Sequence, residues 1–125
     1  MGILGRLGAR LSETSDEIHA QNTKELCADV EGVQEIASCA PRTRTRVVGV
    51  VESIKLVPAP FGHTLEVQVF DGTERLVGVW LGTRSIPGID LGSSLILEGV
   101  VGKFGPGLPK LINPAYELLP RESAG

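Results

Sequence analysis

Between Val47 and Tyr116 the chain never runs far without a glycine or a proline, and the stretches between them are short, apolar and often alternating. That punctuation leaves no room for long helices and selects strands joined by turns. Asp71-Gly72-Thr73 and Asn113-Pro114-Ala115-Tyr116 stand at two of the joints. In Asp71-Gly72-Thr73 the glycine supplies any positive φ the turn needs. Five strands in about seventy residues is the size of a small β-barrel, and the strand order limits which loops meet on one face.

Strand one is expected from about Arg46 to Val57, with Gly49 letting it bend and serve both sides of a barrel. Pro58 to His63 reads as a loop. Strand two, Thr64 to Phe70, alternates: Leu65, Val67 and Val69 face one way, Thr64, Glu66, Gln68 and Phe70 the other. Strand three, Glu74 to Leu81, offers Val77, Val79 and Leu81 on one face and Leu76, Gly78 and Trp80 on the other. We match Val77, Val79 and Leu81 with the strand-two valines as core, which puts Gly78 and Trp80 outside. Gly82 to Gly92 is too broken by Pro87, Gly88 and Gly92 for a helix. Strand four spans Ser94 to Val101, and strand five spans Leu111 to Leu119 with an interruption at Pro114. The loop between them, Gly102 to Lys110, reads as mobile, and residues 120–125 as a flexible tail.

The expected organisation is thus an all-β core, a five-stranded OB-fold Greek-key barrel over residues 42–119, preceded by a helical extension over residues 1–41. In the extension, Ile3, Leu4, Leu7 and Leu11 make an apolar stripe, and Thr14/Glu17 and Asn22/Glu25 have capping spacing. Leu26, Val30, Val33 and Ala37 then recur at helical intervals, though Gly32 weakens an unbroken helix. The extension carries three basic against seven acidic residues, a balance of −4, whereas residues 42–119 carry eight against seven, a balance of +1. The two readings of the extension are a lid over one end of the barrel and an acidic arm for a protein partner.

Several classes of function have little support. No apolar run reaches the roughly 18 residues of a membrane span. The first residues lack a cleavable signal, and Arg6 stands where a myristoylation motif wants Ser or Thr, so a cytoplasmic protein is expected. Cys27 and Cys39, twelve positions apart, and His19 and His63 do not complete a zinc spacing. Neither a metal nor any other cofactor is expected, and no nucleophile–base arrangement suggests an enzyme.

Val48-Gly49-Val50-Val51, Phe70-Asp71-Gly72-Thr73, Val79-Trp80-Leu81-Gly82, Pro87-Gly88, Leu97-Glu98-Gly99-Val100-Val101 and Asn113-Pro114-Ala115-Tyr116-Glu117-Leu118 together resemble small actinobacterial OB-fold nucleic-acid-binding domain proteins. More remotely, the same residues are similar to the OB wedge domain of RecG-type helicases. The resemblance covers about Ile36 to Leu118. Where members of the family commonly carry Gly-Arg-Arg, this chain has Gly82-Thr83-Arg84. It has no phosphate-cradling loop of a helicase motor. The resemblance implies a binding module.

OB-folds bind on the outer face of strands two and three and on the flanking loops. Phe61 lies in the first loop, Lys103 and Phe104 in the second, and Lys110 closes the second. With Trp80 and Arg84 they make an aromatic and cationic set suited to base stacking and phosphate neutralisation, with Gly78 leaving a gap for a base. Arg44 and Arg46, alternating at the strand entry with Arg42, suit a backbone track. The partner read from these residues is single-stranded or branched DNA, with RNA left open. The alternative is a protein–protein interaction module on an OB scaffold.

Overall fold

The punctuated stretch folds as six strands in one sheet. The computed structural model describes residues 16–60, 62–102 and 107–120. The strands are β1 (Arg44–Ala59), β2 (Gly62–Phe70), β3 (Arg75–Leu81), β4 (Ser94–Val100), β5 (Lys110–Ile112) and β6 (Ala115–Leu118). A helix, α1, covers residues 16–28, and a single 3-10 turn covers Ile36–Ser38.

β1 is long because it serves two neighbours, as Gly49 led us to expect. Its first half pairs with β4, from Arg44↔Val100 to Val50↔Ser94, and its second half pairs with β2, from Val50↔Phe70 to Ala59↔Gly62. The change of partner falls beside Gly49, where a Cβ would stand only 2.8 Å from that of Val69. A bulge between Val51 and Ser53 adds to the bend. The sheet order is β5-β3-β2-β1-β4-β6, antiparallel throughout except for β3 with β5. The sheet is open. Its two arms approach at one antiparallel bridge, Val101↔Leu111, beside a bond from Gly102 N–H to the Lys110 carbonyl at 2.9 Å.

Expected strand five is two strands. Pro114 cannot donate to a ladder, and Asn113 takes a positive φ of 47°. The chain therefore leaves β3 after Ile112 and rejoins the sheet beside β4 as β6. The Asn113 side-chain oxygen accepts the Leu81 N–H at 3.0 Å, which closes the end of β3.

The extension also differs from expectation. Gly32 has φ +77°, and the helical spacing of Val30, Val33 and Ala37 is not used: α1 ends at residue 28. The residues that follow are tied to the sheet instead, with Gln34 N–H donating to the Arg46 carbonyl at 2.9 Å. The Ile3–Leu11 stripe and Thr14 lie outside the described residues, as do residues 121–125 of the expected tail. Between β3 and β4 no helix forms, and Ile86 and Ile89 from this loop enter the core with Ile36, Val47, Val67, Val69, Leu76, Leu95, Leu97 and Leu111.

Candidate functional site

Register decides what the sheet can present. β2 pairs with β3 as Leu65↔Trp80, Val67↔Gly78 and Val69↔Leu76, so Trp80 and Gly78 share the inner face with the β2 valines. This corrects the expected facing of β3. Trp80 is only 7 % exposed. Its ring folds back over Gly78, where a Cβ would meet two indole carbons at 3.0 and 3.1 Å. The indole N–H donates to the Pro114 carbonyl at 3.2 Å, and Tyr116 meets the ring edge-on at 6.1 Å between centroids. The gap expected at Gly78 is filled by Trp80 itself, and the indole offers no face to a stacked base.

The outer face carries Thr64, Glu66, Gln68 and Phe70 on β2 and Arg75, Val77, Val79 and Leu81 on β3. The pairings Val77↔Lys110 and Val79↔Ile112 add Lys110 and Ile112 from β5, and Lys55↔Glu66 adds Lys55 from β1. Phe70 is the aromatic of this face among the described residues, and α1 covers it. The His19 ring stacks on it at 5.5 Å and 28°, and the Arg75 guanidinium carbon lies 4.3 Å from its centroid. Arg75 Nε donates to Glu52 Oε1 at 2.7 Å, and His19 Nε2 stands 3.3 Å from Glu52 Oε2. Partial burial of Glu52 opposes its ionisation, but bonds from Arg75 and His19 outweigh it and hold the carboxyl below its ordinary pKa. The helix sits so close that a Cβ on Gly72 would be 2.6 Å from the Ala20 carbonyl oxygen.

The expected arginine track is neutralised within the fold. Arg44 Nη2 reaches Glu98 Oε2 at 2.6 Å, Arg46 Nη1 reaches Glu98 Oε1 at 3.0 Å, and Arg46 also pairs with Glu117 at 3.6 Å. Hydrogen bonds from Arg44 and then Arg46 lower the pKa of Glu98. A carboxyl whose folded pKa lies below its unfolded value stabilises the fold above the unfolded value, and that contribution is lost as pH falls through the folded one. Glu98→Gln is therefore expected to narrow the gap in urea midpoint between pH 7 and pH 3 relative to the unmodified chain. An unchanged gap would show the fork to be energetically idle, as exposed pairs often are.

The remaining expected residues divide in two. Arg84, in the loop after β3, and Lys110, at the start of β5, are exposed and form no ion pair among the described residues. Phe61, Lys103 and Phe104 lie outside the described residues. Sequence reasoning passed over Lys55 and Arg75. Arg75 was findable, because the four residues between Phe70 and Arg75 fix the hairpin register. Lys55 was not, because the β1 bulge resets which of its residues face out.

A recess of about 240 Å³ lies between α1, the segment after it and β1, lined by Cys27, Val30, Val33 and Val48 among others. Burial, and secondarily the charge of Asp71, push the Cys27 thiol up to about 11, which keeps it protonated and a poor nucleophile at neutral pH. Among the described residues no group of three His, Cys, Asp or Glu side chains could hold a metal ion, and no helix is long and apolar enough to cross a membrane.

No protein-family model and no curated protein matches the chain. Among solved structures it is similar to RecG bound to a three-way DNA junction, with a TM-score of 0.56 and 15% identity. The match covers 73% of this chain and 13% of that one, so the chain spans a small part of RecG, and the likeness is one of fold. The remote likeness expected from the motifs is present at that level.

Proposed function

We propose that this protein is a non-catalytic, cytoplasmic nucleic-acid-binding module of OB type, taking single-stranded or branched DNA on the outer face of β2 and β3. The nearer kinship with small actinobacterial OB-fold proteins, read from the motifs, belongs to the same proposal. The observation that carries it is the fold shared with a chain solved on a three-way DNA junction. The bridge Val101↔Leu111 supports the barrel reading, since it joins the two arms where a closed barrel would need a seam.

The corrected face changes which residues carry the proposal. Trp80 is withdrawn as a platform, and Arg44 and Arg46 are committed to Glu98 and Glu117. Lys55, Lys110 and Arg84, which form no ion pair among the described residues, remain, with Phe61, Lys103 and Phe104 on the flanking loops as sequence-based members of the site. Phosphate contacts make affinity fall steeply with salt, with a log–log slope of about −0.7 per contact on single strands.

The test is fluorescence anisotropy with labelled single-stranded, duplex and three-way-junction DNA at low and physiological salt. Saturable, salt-dependent binding weakened at least tenfold by Lys55→Glu with Lys110→Glu is the expected result. Binding untouched by the pair would remove the β1–β5 face from the site. Absence of binding to every DNA would leave the second reading, a protein-interaction module. That reading is favoured by the outward face of α1, where Ile18 and Leu26 are 54 and 60 % exposed beside acidic Glu25 and Asp29.

A further inference from the structure

The helix and the sheet meet at a corner that has the parts of a base-binding pocket. Phe70 supplies a flat apolar face, Arg75 a cation against it, and Glu52 an acceptor at its rim. An imidazole already lies there. His19 stacks on Phe70 within 28° of parallel and directs Nε2 at Glu52 Oε2 across 3.3 Å. A planar nitrogen heterocycle stacked on an aromatic ring, with its polar edge at a carboxylate, is also how a protein reads a nucleobase. Beside it a cleft of about 380 Å³ opens between α1 and the sheet, lined by Asp16, His19, Ala20, Phe70, Gly72 and Arg75 together with Thr73. Lys110 enters the sheet next to Val77, two residues from Arg75, so β5 brings an exposed cation to the same end of β3.

We propose that the Phe70–Arg75–Glu52 corner is a nucleobase pocket, and that α1 is a strap that closes it with His19 in the position of the base. The inference rests on the proposed nucleic-acid function and assigns that function a subsite and a control. The pocket takes a base whose edge offers an amino donor to Glu52, which the Arg75 bond keeps ionised. Cytosine fits this demand, since its N4 amino group pairs well with a carboxylate. Thymine presents a carbonyl at the corresponding position. The strap itself is acidic, with Asp16, Glu17 and Glu25 against Lys24, and so competes in charge as well as in shape. Its hold is limited: the His19 side chain remains 59% exposed. A site closed by a competing segment binds more weakly by the fraction of time it is open.

The test uses the full chain and two labelled twelve-residue oligonucleotides, all-cytidine and all-thymidine, at low salt. His19→Ala is expected to bind the cytidine strand about tenfold tighter than the unmodified chain and to prefer it over the thymidine strand. Adding Phe70→Ala to His19→Ala is expected to abolish the gain. Because Phe70→Ala can disturb folding, amide exchange gives an independent reading: saturating cytidine strand is expected to lower protection across residues 16–28 of the unmodified chain. If the unmodified chain binds DNA, but His19→Ala binds no tighter and the helix keeps its protection, the strap is overturned and the proposed function stands. Equal affinity of His19→Ala for the two strands overturns the Glu52-read base pocket. If neither protein binds any DNA, both the strap and the function it rests on fall.

Discussion

Trp80→Ala is expected to destabilise the fold by about 3–5 kcal/mol, in the range for truncating a large buried aromatic. The indole does three things that alanine cannot. It fills the groove left by Gly78, it donates its N–H to the Pro114 carbonyl, and it gives Tyr116 an edge contact. The second and third tie β3 to the corner where the chain turns from β5 into β6, so the loss also loosens the seam between the arms of the sheet. Trp80→Phe keeps a ring but not the hydrogen bond, and is expected to cost about 1–2 kcal/mol from the lost bond and part of the ring volume. Gly78→Ala forces a methyl against the indole at about 3 Å and is expected to cost about 1–3 kcal/mol by overpacking. The two sites share one volume, so the double variant Gly78→Ala with Trp80→Ala is expected to be less destabilised than the sum of the singles. Urea unfolding measures all four. A cost below about 1 kcal/mol for Trp80→Ala would mean that the indole is not a core residue.

The mistaken facing of Trp80 shows where the sequence stops speaking. β2 has one apolar and one largely polar face, so its inward side is legible from alternation alone. β3 reads Leu76-Val77-Gly78-Val79-Trp80, apolar on both faces, and alternation cannot choose between them. Matching valine with valine was the wrong tie-break. The turn held the answer: with four residues between Phe70 and Arg75, the antiparallel register pairs odd positions with even ones, so Val69 must face with Leu76 and Leu65 with Trp80. Gly78 two residues before Trp80 was a second signal, since same-face neighbours on a strand are two apart and a large ring needs a vacancy beside it.

The charged residues were legible only as a population. Arg44 and Arg46 alternate onto one side as expected, but their partner Glu98 lies more than fifty positions away and meets them only through the β1–β4 register. A cation count along the chain therefore overstates what is free for phosphate. The turn motifs, in contrast, read as turns and proved to do more than turn. Asn113 closes the end of β3 and the Pro114 carbonyl anchors Trp80, which gives that motif a structural duty beyond its turn.

Asp71 makes the same point with the larger consequence for the extension. Asp71→Ala is expected to cost about 3–4 kcal/mol, because a buried carboxylate that organises several donors leaves them unsatisfied when it is removed. Its Oδ1 accepts the Thr73 N–H at 2.9 Å, the Thr73 hydroxyl at 2.6 Å and the Glu74 N–H at 3.1 Å, which is the β2–β3 turn. Its Oδ2 accepts the Ile36 N–H at 2.8 Å, and Thr73 Oγ1 accepts the Ala37 N–H at 3.2 Å. One side chain thus shapes the hairpin that carries Phe70 and Arg75 and docks the segment that follows α1. Asp71→Asn separates the two duties. Its carbonyl oxygen can keep the turn, but its amide nitrogen then faces the Ile36 N–H, donor against donor. Asparagine is therefore expected to keep the hairpin and lose the dock, at about 1–2 kcal/mol. Urea midpoints give the totals, and amide exchange at Ile36 and Ala37 separates local release from global unfolding. If Ile36 exchanges in Asp71→Asn as it does in the unmodified chain, the Asp71 bond is not what holds the extension, which then rests on its other ties, Gln34 on Arg46, α1 on Gly72 and His19 on Phe70. If Ile36 is released while β2 and β3 stay protected, Asp71 is the clamp that keeps the strap within reach of the sheet.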